Sequence, residues 1–115
     1  EIAQAAFCPV ETVRYYERQL REFGQSGADR FIRFYLIPGF GHGFGPFNAK
    51  FDSLRVLQDW VEKGRAPANL VAMDANPGAN RTRPLCEWPV WPRFTGAPGA
   101  EHQAASFSCT PPQPR

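Results

Sequence analysis

The sequence predicts an α/β fold, and three observations carry that prediction. Two stretches, Glu11 to Phe23 and Asp52 to Lys63, repeat apolar residues at helical spacing: Val13, Tyr16, Leu20 and Phe23 in the first, Leu54, Leu57, Trp60 and Val61 in the second. Between them lies Phe31-Ile-Arg-Phe-Tyr-Leu-Ile37, nearly all aromatic or aliphatic, the pattern of a strand buried on both faces in a parallel sheet. After it comes the glycine-rich loop Gly39-Phe-Gly-His-Gly-Phe-Gly-Pro46. Helix, strand, loop, helix is the rhythm of an α/β unit. One strand cannot make a sheet, so this reading needs strands supplied from elsewhere.

The element ends have local causes. Gly24 is a helix breaker after Phe23, and Pro38-Gly39 closes the strand. Asp52 is placed to cap the second helix, while Gly64 and Pro67 end it. Prolines cluster from Pro77 onward, which predicts an irregular tail; Trp88, Trp91 and Phe94 within it need a surface to pack on, and the edge of a larger domain would suit. At 115 residues the chain is one domain at most.

Composition excludes several function classes. A net charge of +2 does not make a nucleic-acid or membrane surface, and no apolar run approaches the length of a membrane span. With three cysteines, no Cys-x-x-Cys and two histidines, the chain is not expected to hold a metal or other cofactor. Cys86 and Cys109 both lie in the tail. Paired, they would close a loop of about two dozen residues, worth roughly 3 kcal/mol in the chain-entropy model; two buried free thiols fit the composition equally well.

His42 is the candidate catalytic residue. It follows the carboxyl end of the predicted strand, where ligands and catalytic groups of open α/β sheets gather. Its flanking glycines allow unusual backbone angles and leave room for a second group beside the imidazole. Spacing alone favours a plainer alternative, a glycine-rich turn with a surface histidine. A phosphate loop is a weaker reading still, because no Lys-Ser/Thr follows the glycines. Asp52, ten residues from His42, is better explained as a helix cap than as an acid partner. Arg81 and Arg83 suit either an anionic group or, more commonly, loop carbonyls and carboxylates. His102 sits in a polar stretch and reads as solvated.

The run Phe34-Tyr-Leu-Ile-Pro-Gly-Phe-Gly-His-Gly-Phe-Gly-Pro46 resembles the tannase and feruloyl esterase family. So do Asp52-Ser-Leu54, Trp60-Val-Glu-Lys-Gly-Arg-Ala-Pro67, Arg81-Thr-Arg-Pro-Leu-Cys86, Trp88-Pro89 and Ser106-Phe-Ser-Cys109, in the family's order, over most of the chain from Pro9 to Cys109. The resemblance implies residues 1–115 are the C-terminal part of an α/β-hydrolase domain: a helical entry over 1–24, strand, histidine loop and helix over 31–67, and an irregular, disulfide-tied tail over 68–115. It implies His42 is the general base of a Ser-His-Asp triad acting on aromatic esters such as those of phenolic acids. It also implies a Cys86–Cys109 bond and a secreted or periplasmic location; a metal of the family's lid region would fall outside this chain. Two departures stand out. Gly43 occupies a position where many members carry a cysteine bonded to one beside the serine. Gln4 stands where an aspartate is expected, counting back from the matched Pro9, Thr12, Tyr15 and Tyr16. No Gly-x-Ser-x-Gly elbow is present, and Ser26, Ser53, Ser106 and Ser108 have ordinary loop or helix readings. The missing N-terminal portion of the hydrolase would hold the serine, and this chain alone is expected to be inactive.

Two alternatives belong to other classes. Glu1-Ile-Ala-Gln-Ala-Ala6 with Cys8-Pro-Val-Glu-Thr-Val-Arg-Tyr-Tyr-Glu-Arg18 resembles the opening helix-turn-helix of a MerR-type transcription regulator, with Arg14 and Tyr15 toward DNA. That likeness stops at Arg18, and the family stretch accounts for Thr12 onward. The other alternative is a non-catalytic piece that completes a partner's sheet.

Overall fold

The computed structural model describes residues 10–41 and 44–113. Helix α1 spans Val10–Ala28, but Gly24 (φ 70°, ψ 170°) breaks its geometry, so the predicted stop is a kink between two helical pieces. Tyr16 is the buried residue of the first piece. Its ring packs on Phe34 at 5.2 Å and edge-on to Trp88 at 5.9 Å. Trp88 thus packs within this chain, on Tyr16 and Phe34.

A short strand β1 (Ala49–Lys50) leads into α2 (Ser53–Lys63). The predicted caps are both present. The Asp52 carboxylate accepts from the Arg55 N–H at 3.0 Å, and Gly64 takes the left-handed conformation (φ 65°) that lets its N–H reach back to the last turn. The predicted inner stripe of α2 is corrected. Leu54, Leu57 and Val61 are 75%, 54% and 76% exposed, and only Trp60 is half-buried, beneath the Arg33 guanidinium at 5.2 Å. Helical spacing identifies which face is apolar, but not whether anything covers it.

The strands also depart from expectation. Phe31–Ile37 does not form a doubly buried parallel strand; among the described residues it has one antiparallel bridge, Tyr35 to Glu87, and only Leu36 is buried. An interior strand needs a neighbour along each edge, and the described residues give this segment little more than Glu87. The tail is more regular than its prolines suggest. Strands β2 (Val71–Asp74) and β3 (Thr82–Pro84) continue an antiparallel sheet in the order β1-β2-β3, and β4 (Trp91–Phe94) pairs with β5 (Phe107–Thr110). Pro84 ends an edge strand and Pro92 lies in a two-stranded sheet, where both strands are edges and a proline need not break an interior ladder.

The core is thin and sits between the loop and the three-stranded sheet. Phe47, Ala72 and Leu85 form it, with Tyr35, Ile37, Ala49, Phe51 and Leu70 packed around them. Strand β2 alternates as a one-sided strand should: Ala72 and Asp74 are buried, Val71 and Met73 exposed. The two sheets are tied together by Thr82 N–H to the His102 carbonyl (2.8 Å), by Ala104 N–H to Thr82 Oγ1 (2.8 Å), and by Arg83 stacked over Phe107 (4.2 Å). Cys86 and Cys109 form the disulfide that the family resemblance implied, fixing the segment before β4 to β5.

With the linked cysteines 23 positions apart in sequence, loop closure in the unfolded chain predicts about 3 kcal/mol of stabilisation. Cys86→Ser is expected to lower stability by about that amount in chemical denaturation. Adding Cys109→Ser should then cost little more, because the first change has already opened the crosslink.

Candidate active site

Every described residue of the histidine loop is tied at its base. Phe40 N–H donates to the Ile37 carbonyl (3.2 Å), and Phe47 N–H donates to the Gly39 carbonyl (3.1 Å), so entry and exit stems run side by side. Gly41 N–H donates to the Phe44 carbonyl at 2.7 Å, a further tie between the two stems. Gly45 is required where the stems meet. It has φ 142°, and a β-carbon there would lie 2.3 Å from the Gly39 carbonyl oxygen. His42 and Gly43 themselves lie outside the described residues, as does Gln4.

The exit stem is held from the sheet by three polar side chains. Asp74, at the end of β2, is 4% exposed. Its Oδ1 accepts from the N–H groups of Asn48 and Asn76, each at 3.0 Å, and its Oδ2 accepts from Arg81 Nε at 2.7 Å. Arg81 then donates through Nη2 to the Pro46 carbonyl. Asn76 Nδ2 donates to the Gly45 carbonyl at 2.9 Å, with a longer approach to that of Pro46 at 3.4 Å. Arg81 also lies over the Phe47 ring, at 5.7 Å, which joins the polar network to the core. Burial alone would raise the Asp74 carboxyl, but the Asn76 and Asn48 amides and the Arg81 guanidinium outweigh it and hold it below the usual range.

The other predicted residues find plain roles. Asp52 is a helix cap. Arg81 ties a loop to a carboxylate and a carbonyl, and Arg83 donates to its neighbour's carbonyl and covers Phe107. His102 is exposed. Asp74 and Asn76 were not anticipated. The signal available was Val71-Ala-Met-Asp74 followed by Asn76-Pro-Gly78, an alternating strand whose inward position ends on a carboxylate before a turn. A cavity of about 330 Å³ lies against both stems, between Pro38 and Gly39 on one side, Pro46 and Phe47 on the other, with Arg81 and Arg83 in its wall. Among the described residues no group of three or more His, Cys, Asp or Glu side chains could hold a metal ion, and no helix is long and apolar enough to cross a membrane.

The fold is that of part of an α/β-hydrolase. Feruloyl esterase B from Aspergillus oryzae superposes with a TM-score of 0.71 over 90% of this chain and 24% of its own, at 22% sequence identity. The sequence matches the tannase and feruloyl esterase family over residues 2–110, and the chain belongs to that family. Mono(2-hydroxyethyl) terephthalate hydrolase of Piscinibacter sakaiensis is 40% identical over 116 residues, covering 96% of this chain and 19% of its own length. A probable feruloyl esterase of Arthroderma benhamiae is 34% identical over 115 residues, covering 94% of this chain and 21% of its own. This chain therefore spans only about a fifth of the length of these relatives. The family match begins at residue 2 and so takes in the segment that resembles a transcription regulator; the helix formed from Val10 onward is anchored through buried Tyr16.

Asp74 makes the chain acid-sensitive in a defined direction. Its folded pKa lies below the unfolded value of about 3.9, so its contribution is complete at neutral pH and is lost as pH falls through about 4 and below. Asp59, lowered by its bond to Lys63 on exposed α2, shifts the same way and sets a background. Melting temperatures measured at pH 7 and pH 3 should therefore differ more for the natural chain than for Asp74→Asn. Equal differences would mean that Asp74 does not stay ionised in the fold.

Proposed function

We propose that this chain supplies the general base, His42, of a serine carboxylesterase that cleaves aromatic esters, of phenolic acids or related acids, by a Ser-His-Asp mechanism. The observation that carries the proposal is the double-stemmed loop around position 42, pinned at Gly39, Gly41 and Gly45 beside an apolar cavity, in a chain of this family. The imidazole removes the serine hydroxyl proton as the oxygen attacks the ester carbonyl, then gives that proton to the departing alcohol; water repeats the cycle on the acyl-enzyme. The serine and the oxyanion donors come from the portion of the hydrolase domain that the relatives carry beyond this chain's span, so the chain alone is inactive. The uncovered apolar faces, Leu54, Leu57 and Val61 on α2 and Val71 and Met73 on β2, suit burial against that portion.

The Cys86–Cys109 bond favours an oxidising compartment, and hence a secreted or periplasmic enzyme. Asp52 is not the triad acid in this reading, because its carboxylate is committed to the α2 N-terminus. Gln4 stands at the acid's position: a glutamine can orient an imidazole but does not stabilise its cation.

The test joins the chain to the serine-bearing portion of a relative and follows hydrolysis of p-nitrophenyl and phenolic-acid esters. His42→Ala should lower kcat at least a thousandfold, and full activity in that variant would refute the assignment. Gln4→Asp should raise kcat, by up to about four orders of magnitude if it restores the missing carboxylate. No change would place the acid elsewhere.

A further inference from the structure

We propose that Asn76, Arg81 and Asp74 are positioning residues that set the placement of the His42 imidazole by clamping the backbone just after it. The inference rests on the assignment of His42 as general base.

Three features distinguish this network from ordinary hairpin polarity. First, the hairpin does not need it: β2 and β3 are already paired antiparallel, with Val71 opposite Pro84, Ala72 opposite Arg83 and Met73 opposite Thr82. Second, the side chains reach far along the sequence to a narrow target. Asn76 and Arg81 cross 31 and 35 residues to the carbonyls of Gly45 and Pro46, the third and fourth residues after His42. Third, the clamp is itself fixed. Asp74 is buried, with Oδ1 filled by two backbone amides and Oδ2 by Arg81 Nε, so the guanidinium is oriented before it meets Pro46. An exposed loop can satisfy its carbonyls with water at little cost; here two consecutive carbonyls are held by donors mounted on a strand end and a turn.

The consequence is mechanical. Beyond the clamp, Phe47 is buried in the core and its N–H is bonded to Gly39; before it, Phe44 is bonded to Gly41. The described backbone on either side of the clamp is therefore tied down. A misplacement of about 1 Å in a catalytic group can lower turnover about a hundredfold, whereas a clamp that does not touch substrate should leave KM nearly unchanged.

The test uses the whole chain joined to the serine-bearing portion of the hydrolase, with ¹³C-histidine introduced only in this chain. The chain has two histidines, so His102 serves as an internal control. Asn76→Ala should lower kcat ten- to a hundredfold with KM within about twofold, and should broaden or split the His42 ring signal while leaving that of His102 in place. Asn76→Gln, which keeps an amide donor, should recover part of both effects. The proposal is overturned if Asn76→Ala leaves kcat and the His42 signal unchanged. It is equally overturned if both histidine signals move together with a fall in melting temperature, which is the mark of general destabilisation. Failure of the base assignment is read separately: His42→Ala would then retain activity whatever the Asn76 variants do.

Discussion

A carboxylate shut away from water keeps its charge only if its oxygens are filled by donors. At Asp74 that condition is met from three directions: the turn behind it, the strand beside it and the arginine across from it. Much of the local architecture follows from this one requirement. The amide of Asn48 must face the end of β2, which sets where β1 begins. The turn after β2 must bring Asn76 back toward the carboxylate. Arg81 must enter β3 with its side chain inward, which carries its outer nitrogen to Pro46 and lays its charge over Phe47. The polar network and the small apolar core of Phe47, Ala72 and Leu85 therefore meet where Arg81 lies over Phe47, and neither could be rearranged alone.

Around that centre the chain is held by ties more than by bulk. Its apolar core is only a few side chains deep, and the remaining connections are individual: the disulfide, the Thr82 bonds to the segment before β5, the aromatic group of Tyr16, Phe34 and Trp88, and Arg33. The last links Glu87 by an ion pair at 3.0 Å and also lies over Trp60. Small domains commonly rely on such crosslinks when their core is thin. Apolar residues on α2 and β2 meanwhile face outward, which fits a chain that spans about a fifth of its relatives' length.

Local chemistry was the most legible part of the sequence. The α2 caps at Asp52 and Gly64 were visible because capping depends on one or two side chains and a glycine. The break at Gly24 was visible for the same reason. The family likeness located the histidine loop and the cysteine pair. Pairing was much less legible. Phe31–Ile37 has a composition suited to an interior strand, yet composition does not say which neighbours are present. Pro84 and Pro92 argue against interior strands but are harmless at edges, so the tail's two sheets were hidden behind them. Asp74 and Asn76 were missed because their meaning lies in contacts about thirty residues distant, with a loop whose interest had been assigned to its histidine alone.

The proposed mechanism requires His42 to meet a serine supplied by the portion that the relatives carry beyond this chain's span. The most direct measurement is an experimental structure of the chain assembled with the serine-bearing portion and a substrate analogue bound. In the proposed mechanism His42 Nε2 lies within about 2.6–3.2 Å of the serine Oγ, with the carbonyls of Gly45 and Pro46 still held by Asn76 and Arg81. An imidazole turned to solvent, with another group in contact with the serine, would contradict it.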